Sequence, residues 1–239
     1  MKTYDVIVVG AGHAGCEAAL AAARMGCATL LVTIDLDKIA AMPCSPSIGG
    51  MAKGQLVKEI DALGGHMALA TDASAIQYRT LNTRKGPAVH STRTQNDKNL
   101  YSRHMKAVLE TCPNLDLKQG MVRNLVIEDS CVKGIVDMTG FAYQAGCVVI
   151  TTGTYLRGSV HIGAAQMDAG RAGEFASIHL GRNLADLGFD MGRMKTGTPP
   201  RLHADSIDFT AFKRHESDEA PTPFSFNTKE ITTPMLPSF

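Results

Sequence analysis

The sequence predicts an α/β fold: a doubly wound, Rossmann-like domain over 1–200, with a three-stranded antiparallel meander, running into an incomplete second or inserted domain over 201–239. Three observations carry this reading. Val6 to Val9 is a continuous β-branched run, as expected of a parallel strand covered on both faces. The pattern Gly10-x-Gly12-x-x-Gly15 follows at once and opens an Ala-rich helix from Ala14 to Met25. Far along the chain, Gly146-Cys147-Val148-Val149-Ile150 is another buried-strand run, and it ends in the small-residue turn Thr151-Thr152-Gly153-Thr154.

Each glycine of the first turn has a physical task. Gly10 permits the tight strand-to-helix turn, Gly12 lets the backbone approach a diphosphate, and Gly15 lets helix and strand pack closely. The N–H groups and positive dipole end of the helix then favour phosphate, which makes Gly10, Ala11, Gly12, His13, Ala14 and Gly15 a candidate dinucleotide site. With 23 glycines in the chain the pattern alone arises by chance. Its placement between a strand and a helix, with a second strand from Ala28 to Val32, gives it weight. A ribose-binding carboxylate is expected about 20 positions on. Here the first carboxylates after that strand are Asp35 and Asp37, and the ribose contact stays unassigned.

Composition sets bounds. A hydrophobic fraction of 44% with 20% charged residues describes an ordinary globular chain. The net charge of +1 gives no overall attraction to nucleic acid or membrane, so any such preference must be local. The six cysteines show no C-x-x-C spacing, which suits reduced thiols in the cytoplasm. No apolar run approaches the roughly 18 residues of a membrane span, and the first strand starts too early to leave room for a targeting segment. No metal-ligand spacing is present, so no metal is expected.

Met42 to Gly50 reads MPCSPSIGG, a loop beyond the second strand, in the region where ligands bind in such folds. Cys44 is the one cysteine in that position. Its bland reading is a small buried hydrophobe; its functional reading is a reactive thiol. Lys53 to Leu63 has helical spacing and ends at Gly64-Gly65, with Lys53 a surface lysine of the first turn. From Tyr78 to Lys106 seven cations face the single carboxylate Asp97. The loop part, Asn82 to Pro87, holds Arg84 and Lys85; helical spacing runs from about Gln95 to Thr111, and Pro113 stops it. Such a patch fits phosphates of a cofactor or a nucleic acid, or else a solvated helix face. Met121 to Ile127, Cys131 to Met138 and Phe141 to Ile150 make the meander. Gly170-Arg171-Ala172-Gly173 opens a helix carrying Leu180, Leu184 and Leu187. Beyond it, Gly192 to Arg201 is basic and proline-stiffened, and six of the ten prolines lie from Pro199 onward, which marks the composition shift.

The stretches GAGHAGCEAALAAARMG, MPCSPSIGGMAKGQLVKEIDALGG, NTRKGPAV, GRAGEFAS and GRMKTGTPPR together resemble the family of the large, FAD-binding subunit of the tRNA uridine 5-carboxymethylaminomethyl modification enzyme, also called glucose-inhibited division protein A. The resemblance runs from residue 4 to about residue 215, and family members are considerably longer, so the chain looks like an N-terminal portion, expected to be inactive alone. It implies FAD at Gly10 to Gly15, with further contacts at Val122 and Ser177. It also implies NADH as reductant, methylene-tetrahydrofolate as one-carbon donor, wobble uridine of tRNA as substrate, a GTPase partner and a homodimer. Cys44 matches one of two functional cysteines, whose thiolate would add to C6 of uracil. Arg84, Lys85, Arg93, Lys195 and Arg201 are candidate substrate or phosphate contacts. Ser45 stands where asparagine is usual, and His90 where arginine is usual, which thins the basic patch at neutral pH.

Three other readings compete. The shorter folate- and FAD-dependent tRNA uracil-5-methyltransferase shares the glycine turn and the N-P-like loop, while the long NTRKGPAV and GRMKTGTPPR stretches favour the first assignment. A flavin disulfide reductase needs two neighbouring thiols. A non-catalytic dinucleotide-binding module would use the basic loop for docking alone.

Overall fold

The computed structural model describes residues 2–171 and 173–239. In chain order the elements are β1 (Thr3–Val9), α1 (His13–Arg24), β2 (Thr29–Thr33), β3 (Ser47–Gly49), α2 (Lys53–Ala62), α3 (Met67–Asp72), β4 (Ala75–Leu81) and β5 (Ser91–Asn96). Then come α4 (Lys98–Thr111), β6 (Leu115–Gln119), β7 (Val122–Glu128), β8 (Cys131–Asp137), β9 (Ala142–Ile150), β10 (Ser159–Ile162), β11 (Ala165–Asp168) and α5 (Ile178–Asp186). They pack as two compact units, Met1–Ala40 with Lys106–Met194, and Ala41–Met105 with Lys195–Phe239.

The first unit is built on a six-stranded sheet of order β6-β2-β1-β9-β8-β7. β6, β2, β1 and β9 run parallel, while β9, β8 and β7 form the antiparallel meander. The doubly wound reading and the meander are both borne out. Continuous apolar strands arise because both faces are covered. Ile7, Val9, Leu30 and Val32 pack with Ile135, Leu180 and Leu184 in one cluster. Successive strand residues alternate faces, so the fully buried Val8 and Leu31 point to the other side, where α1 buries Cys16, Ala19 and Leu20. The sequence reading passed over β6, whose short LDLKQ run is only half-buried. It also passed over the β10–β11 hairpin, which is almost wholly exposed. The last helix starts at Ile178 rather than at the Gly170 turn: Arg171 and Glu174 form a bridge there instead, and Ala172 lies outside the described residues.

The second unit has an antiparallel sheet of order β3-β5-β4, with α2 and α3. Ser91–Asn96 is the central strand, although the sequence left 91–94 unassigned and began the helix at about Gln95. α4 begins only at Lys98, because the Asp97 carboxylate caps the N–H groups of Asn99 and Leu100 at 2.9 and 3.0 Å. The exposed edge of β4 is covered by the far end of the chain. Asp218 N–H donates to Tyr78 O at 2.9 Å, Thr80 N–H to the Asp218 carboxylate at 2.7 Å, and Leu236 N–H to Ile76 O at 2.7 Å. Segment 223–226 is fastened by two buried acids. Asp72 accepts the N–H groups of Phe224 and Ser225 at 2.8 and 2.9 Å, and Asp61 accepts that of Phe226 at 2.8 Å.

Candidate functional site

The glycine turn follows β1 directly. Gly10 has φ +101°, and a Cβ there would lie 2.6 Å from the carbonyl oxygen of Thr151, so no other residue fits without displacing the end of β9. A Cβ at Gly15 would stand 1.7 Å from Gly10 O, which is the close helix-to-turn packing the motif requires. Gly12 is different: its φ is −75°, and a Cβ would meet nothing within 4 Å. The space in front of α1 is open at Gly12. The Thr151 hydroxyl, 2.9 Å from both Val9 O and Gly10 O, pins the turn to β9. α1 has no side-chain cap and no acidic residue in its first turn, so its positive end is uncompensated. Gly12 and Ala14 are exposed on this side, and Ala11 is buried. His13 is held toward the neutral form by burial. An open, uncapped, positively poled helix start fits the diphosphate of a dinucleotide.

Two further segments of this unit meet the same end of the sheet. Gly120 N–H donates to Thr33 O at 2.8 Å, which carries residues 120–122 past the end of β2. Val122 is buried there in the cluster that contains Val9 and Val32. Ser177 is 7% exposed and lies beside the turn after β9, through Ser177 N–H to Tyr155 O at 2.8 Å and Arg157 N–H to Ser177 O at 3.1 Å. Asp35 accepts its neighbour Asp37's N–H at 2.8 Å. Asp37 pairs with Lys106 at 2.8 Å, a contact that lowers its carboxyl pKa. Burial pushes the Cys16 thiol up to about 12, which makes it an inert core group.

Sequence reasoning missed one cluster here. Tyr155, Arg171 and Glu174 form a closed triad: Arg171 Nε donates to the Tyr155 hydroxyl at 2.5 Å and its Nη2 pairs with Glu174 at 3.1 Å, while the phenol also donates to Glu174. Burial, then the Glu174 bond, pushes the phenol to about 12. Gly170 leaves room for the ring, since a Cβ would lie 2.0 Å from Tyr155 Cδ1. The GRAGE run was visible as a motif, but its tyrosine partner has no sequence signal.

In the second unit Cys44 is half-buried, and its Sγ–H donates to Gly197 O at 2.8 Å. Arg201 Nη2 donates to Pro43 O at 3.0 Å and Cys44 O at 2.9 Å. Arg93 Nη2 reaches the Ser47 hydroxyl at 3.3 Å on the same loop. Cys44, Arg93 and Arg201 are therefore gathered around one loop. Arg84 and Lys85 stand apart, exposed at the tip between β4 and β5, and Lys195 is exposed on an irregular segment. Among the described residues no group of three or more His, Cys, Asp or Glu side chains is placed to hold a metal, and no helix is long and apolar enough to cross a membrane.

A doubly wound sheet with a glycine cradle at the carboxyl end of its first strand defines a Rossmann-like dinucleotide-binding protein. The family described as Glucose inhibited division protein A matches residues 5–239, and the chain belongs to that family. It is 60% identical over 239 residues to the tRNA uridine 5-carboxymethylaminomethyl modification enzyme MnmG of Syntrophobacter fumaroxidans, covering 100% of this chain and 37% of that protein. It is 57% identical to the protein of the same name from Geobacter sulfurreducens, covering 100% of this chain and 38% of the relative. The form I crystal structure of Aquifex aeolicus GidA superposes with a TM-score of 0.95 at 43% identity, over 99% of this chain and 40% of that one. A GidA-related protein from Thermus thermophilus shares the fold, with a TM-score of 0.59 at 23% identity over 79% of this chain and 70% of that one. The chain thus spans well under half the length of the curated relatives it matches.

Proposed function

We propose that the chain is the FAD-binding part of a tRNA-modifying enzyme that builds the carboxymethylaminomethyl group on C5 of wobble uridine. The observation that carries this is the open cradle at Gly12, in a chain of this family whose relatives bear that enzyme's name. Gly10 to Gly15 would hold the diphosphate, with Val122 and Ser177 flanking the cofactor. Bound FAD supplies redox chemistry, with NADH as reductant and methylene-tetrahydrofolate as carbon donor. Cys44 is assigned the nucleophile: its sulfur bonds to uracil C6, the C5–C6 electron pair moves toward C5 and O4, and C5 becomes nucleophilic. Once C5 has bonded to the one-carbon unit, with the folate nitrogen as leaving group, loss of the C5 proton restores the C5–C6 double bond and expels the thiolate. Arg84, Lys85, Arg93 and Lys195 are proposed contacts to tRNA phosphates. A GTPase partner, a homodimer and a cytoplasmic location complete the reading of the intact protein.

The test uses full-length protein. Flavin absorbance should appear and saturate with added FAD, and Cys44→Ser should abolish tRNA modification with flavin retained. Unchanged modification in Cys44→Ser removes that residue from the chemistry. A product carrying only a methyl group would favour the folate-dependent methyltransferase instead.

A further inference from the structure

The loop that carries Cys44 is held by two parts of the chain more than 150 residues away. On one side runs the irregular, exposed strap 197–201. Gly197 O accepts the Cys44 S–H at 2.8 Å, and the Arg201 guanidinium grips the main chain of the loop through Pro43 O at 3.0 Å and Cys44 O at 2.9 Å. Its Nη1 also donates to Pro199 O at 3.3 Å, which folds the strap onto itself. On the other side the fully buried Phe224 ring lies 2.6 Å from where a Gly49 Cβ would stand, and Asp72 anchors Phe224 by accepting its N–H at 2.8 Å.

We propose that Arg201 is a positioning residue for Cys44, and that the strap it fastens keeps the sulfur engaged with the Gly197 carbonyl until the strap is lifted. A carbonyl oxygen can only accept, so this contact exists only while sulfur carries its proton. A thiolate at the same place would face a lone pair and be repelled. The sulfur must therefore leave Gly197 O before it can attack carbon. Arg201 suits the task because its planar fork offers several donors in fixed directions, which lets one side chain bridge two successive main-chain carbonyls; a lysine is a single flexible point charge. With three carbonyls as acceptors, Arg201 is committed to the loop rather than to a phosphate. The functional meaning of the strap rests on the reading of Cys44 as nucleophile; its geometry does not.

The experiment is iodoacetamide labelling of the full-length protein, followed peptide by peptide, in wild type, Arg201→Ala and Arg201→Lys. Loss of a charge-assisted hydrogen bond should make Cys44 label about tenfold faster in Arg201→Ala, with the exposed Cys131 unchanged and flavin retained. Arg201→Lys should fall between. The modification rate should drop in the same order, and the salt dependence of tRNA binding should stay as in wild type. Cys44 labelling unchanged in Arg201→Ala overturns the proposal, as does a reduced salt slope without a labelling change, which would make Arg201 a phosphate contact. Should all cysteines of Arg201→Ala label faster, the protein has unfolded and the decision passes to Arg201→Lys: selective acceleration at Cys44 supports the strap, and none refutes it. Full activity in Cys44→Ser would instead sink the nucleophile assignment and leave the labelling result standing.

Discussion

Gly12 and Gly15 belong to one motif, yet they guard different things. A methyl group at Gly15 would collide with Gly10 O at 1.7 Å, inside the fold, whereas one at Gly12 would enter empty space. Gly15→Ala should therefore destabilise the protein by about 2 kcal/mol or more through overpacking. Gly12→Ala should cost no more than about 1 kcal/mol, the difference between the two residues as helix caps. Its effect should appear in the ligand, with flavin affinity falling at least about tenfold. Thermal melts and flavin titrations of the two variants separate the roles; equal loss of stability in both would remove the cradle argument. These tasks were legible in the sequence because the turn dictates them locally. Arg201 was readable as a candidate substrate or phosphate contact in a basic stretch, but not as a clamp on the Cys44 loop. Its partners are main-chain carbonyls of Pro43 and Cys44, and a carbonyl carries no residue-type signal.

Local interactions also govern single elements, and the turn between β8 and β9 shows how. The Asp137 carboxylate accepts Thr139 N–H at 2.8 Å, the Thr139 hydroxyl at 2.5 Å and Phe141 N–H at 3.1 Å. Burial alone would raise its pKa, but these donors outweigh burial and the pKa is lowered. A carboxyl whose folded pKa is depressed stabilises the fold above its unfolded value and loses that contribution as pH falls through the folded one. Asp137→Asn should cost about 1 kcal/mol at neutral pH, where the charge-assisted bonds are lost. The difference from wild type should shrink as pH falls below the unfolded-state value of about 3.9 and vanish only once pH lies below the depressed folded value. Denaturant melts against pH check this, and a gap that persists in acid contradicts it. The β4–β5 hairpin makes a different prediction, resting on the proposed tRNA contact. Arg84→Ala and Lys85→Ala should weaken tRNA binding evenly across tRNA sequences, each lowering the salt slope by about 1; unchanged slopes would leave the tip without a phosphate role. The meander was readable because its turns and apolar runs are contiguous. β4 and β5 were hidden because Arg79 and Arg93 lie within them, and cations at strand positions mimic loop composition.

At the scale of the whole molecule, each compact unit is assembled from two separated stretches of chain. Composition suggested a change near residue 200, where apolar periodicity ends and prolines accumulate. The structure gives that change a different meaning: the boundary lies at Met194/Lys195, and the segment beyond it completes the unit begun at Ala41. It does so with few apolar side chains. Lys58 Nζ donates to Pro223 O at 3.3 Å and Phe224 O at 3.1 Å, Gln77 Nε2 to His215 O at 2.9 Å, and Tyr78 N–H to the Ser217 hydroxyl at 3.0 Å. Most of these bonds join a side chain to a main-chain group, and a segment held this way has no hydrophobic period to announce it. If that segment is structural, a chain ending at Met194 leaves buried acceptors on Asp61 and Asp72 without their N–H partners, and a buried unsatisfied polar group costs about 1–3 kcal/mol each. Hydrogen exchange should then show lost protection at Tyr78 and Thr80, whose N–H groups bond to Ser217 and Asp218 in the full chain. Amides of β1 and β9, paired within the other unit, should keep theirs. Retained protection across β4 in the shortened chain would mean that the edge strand stands without its cover, and that residues 195–239 are a passenger rather than a part of the unit.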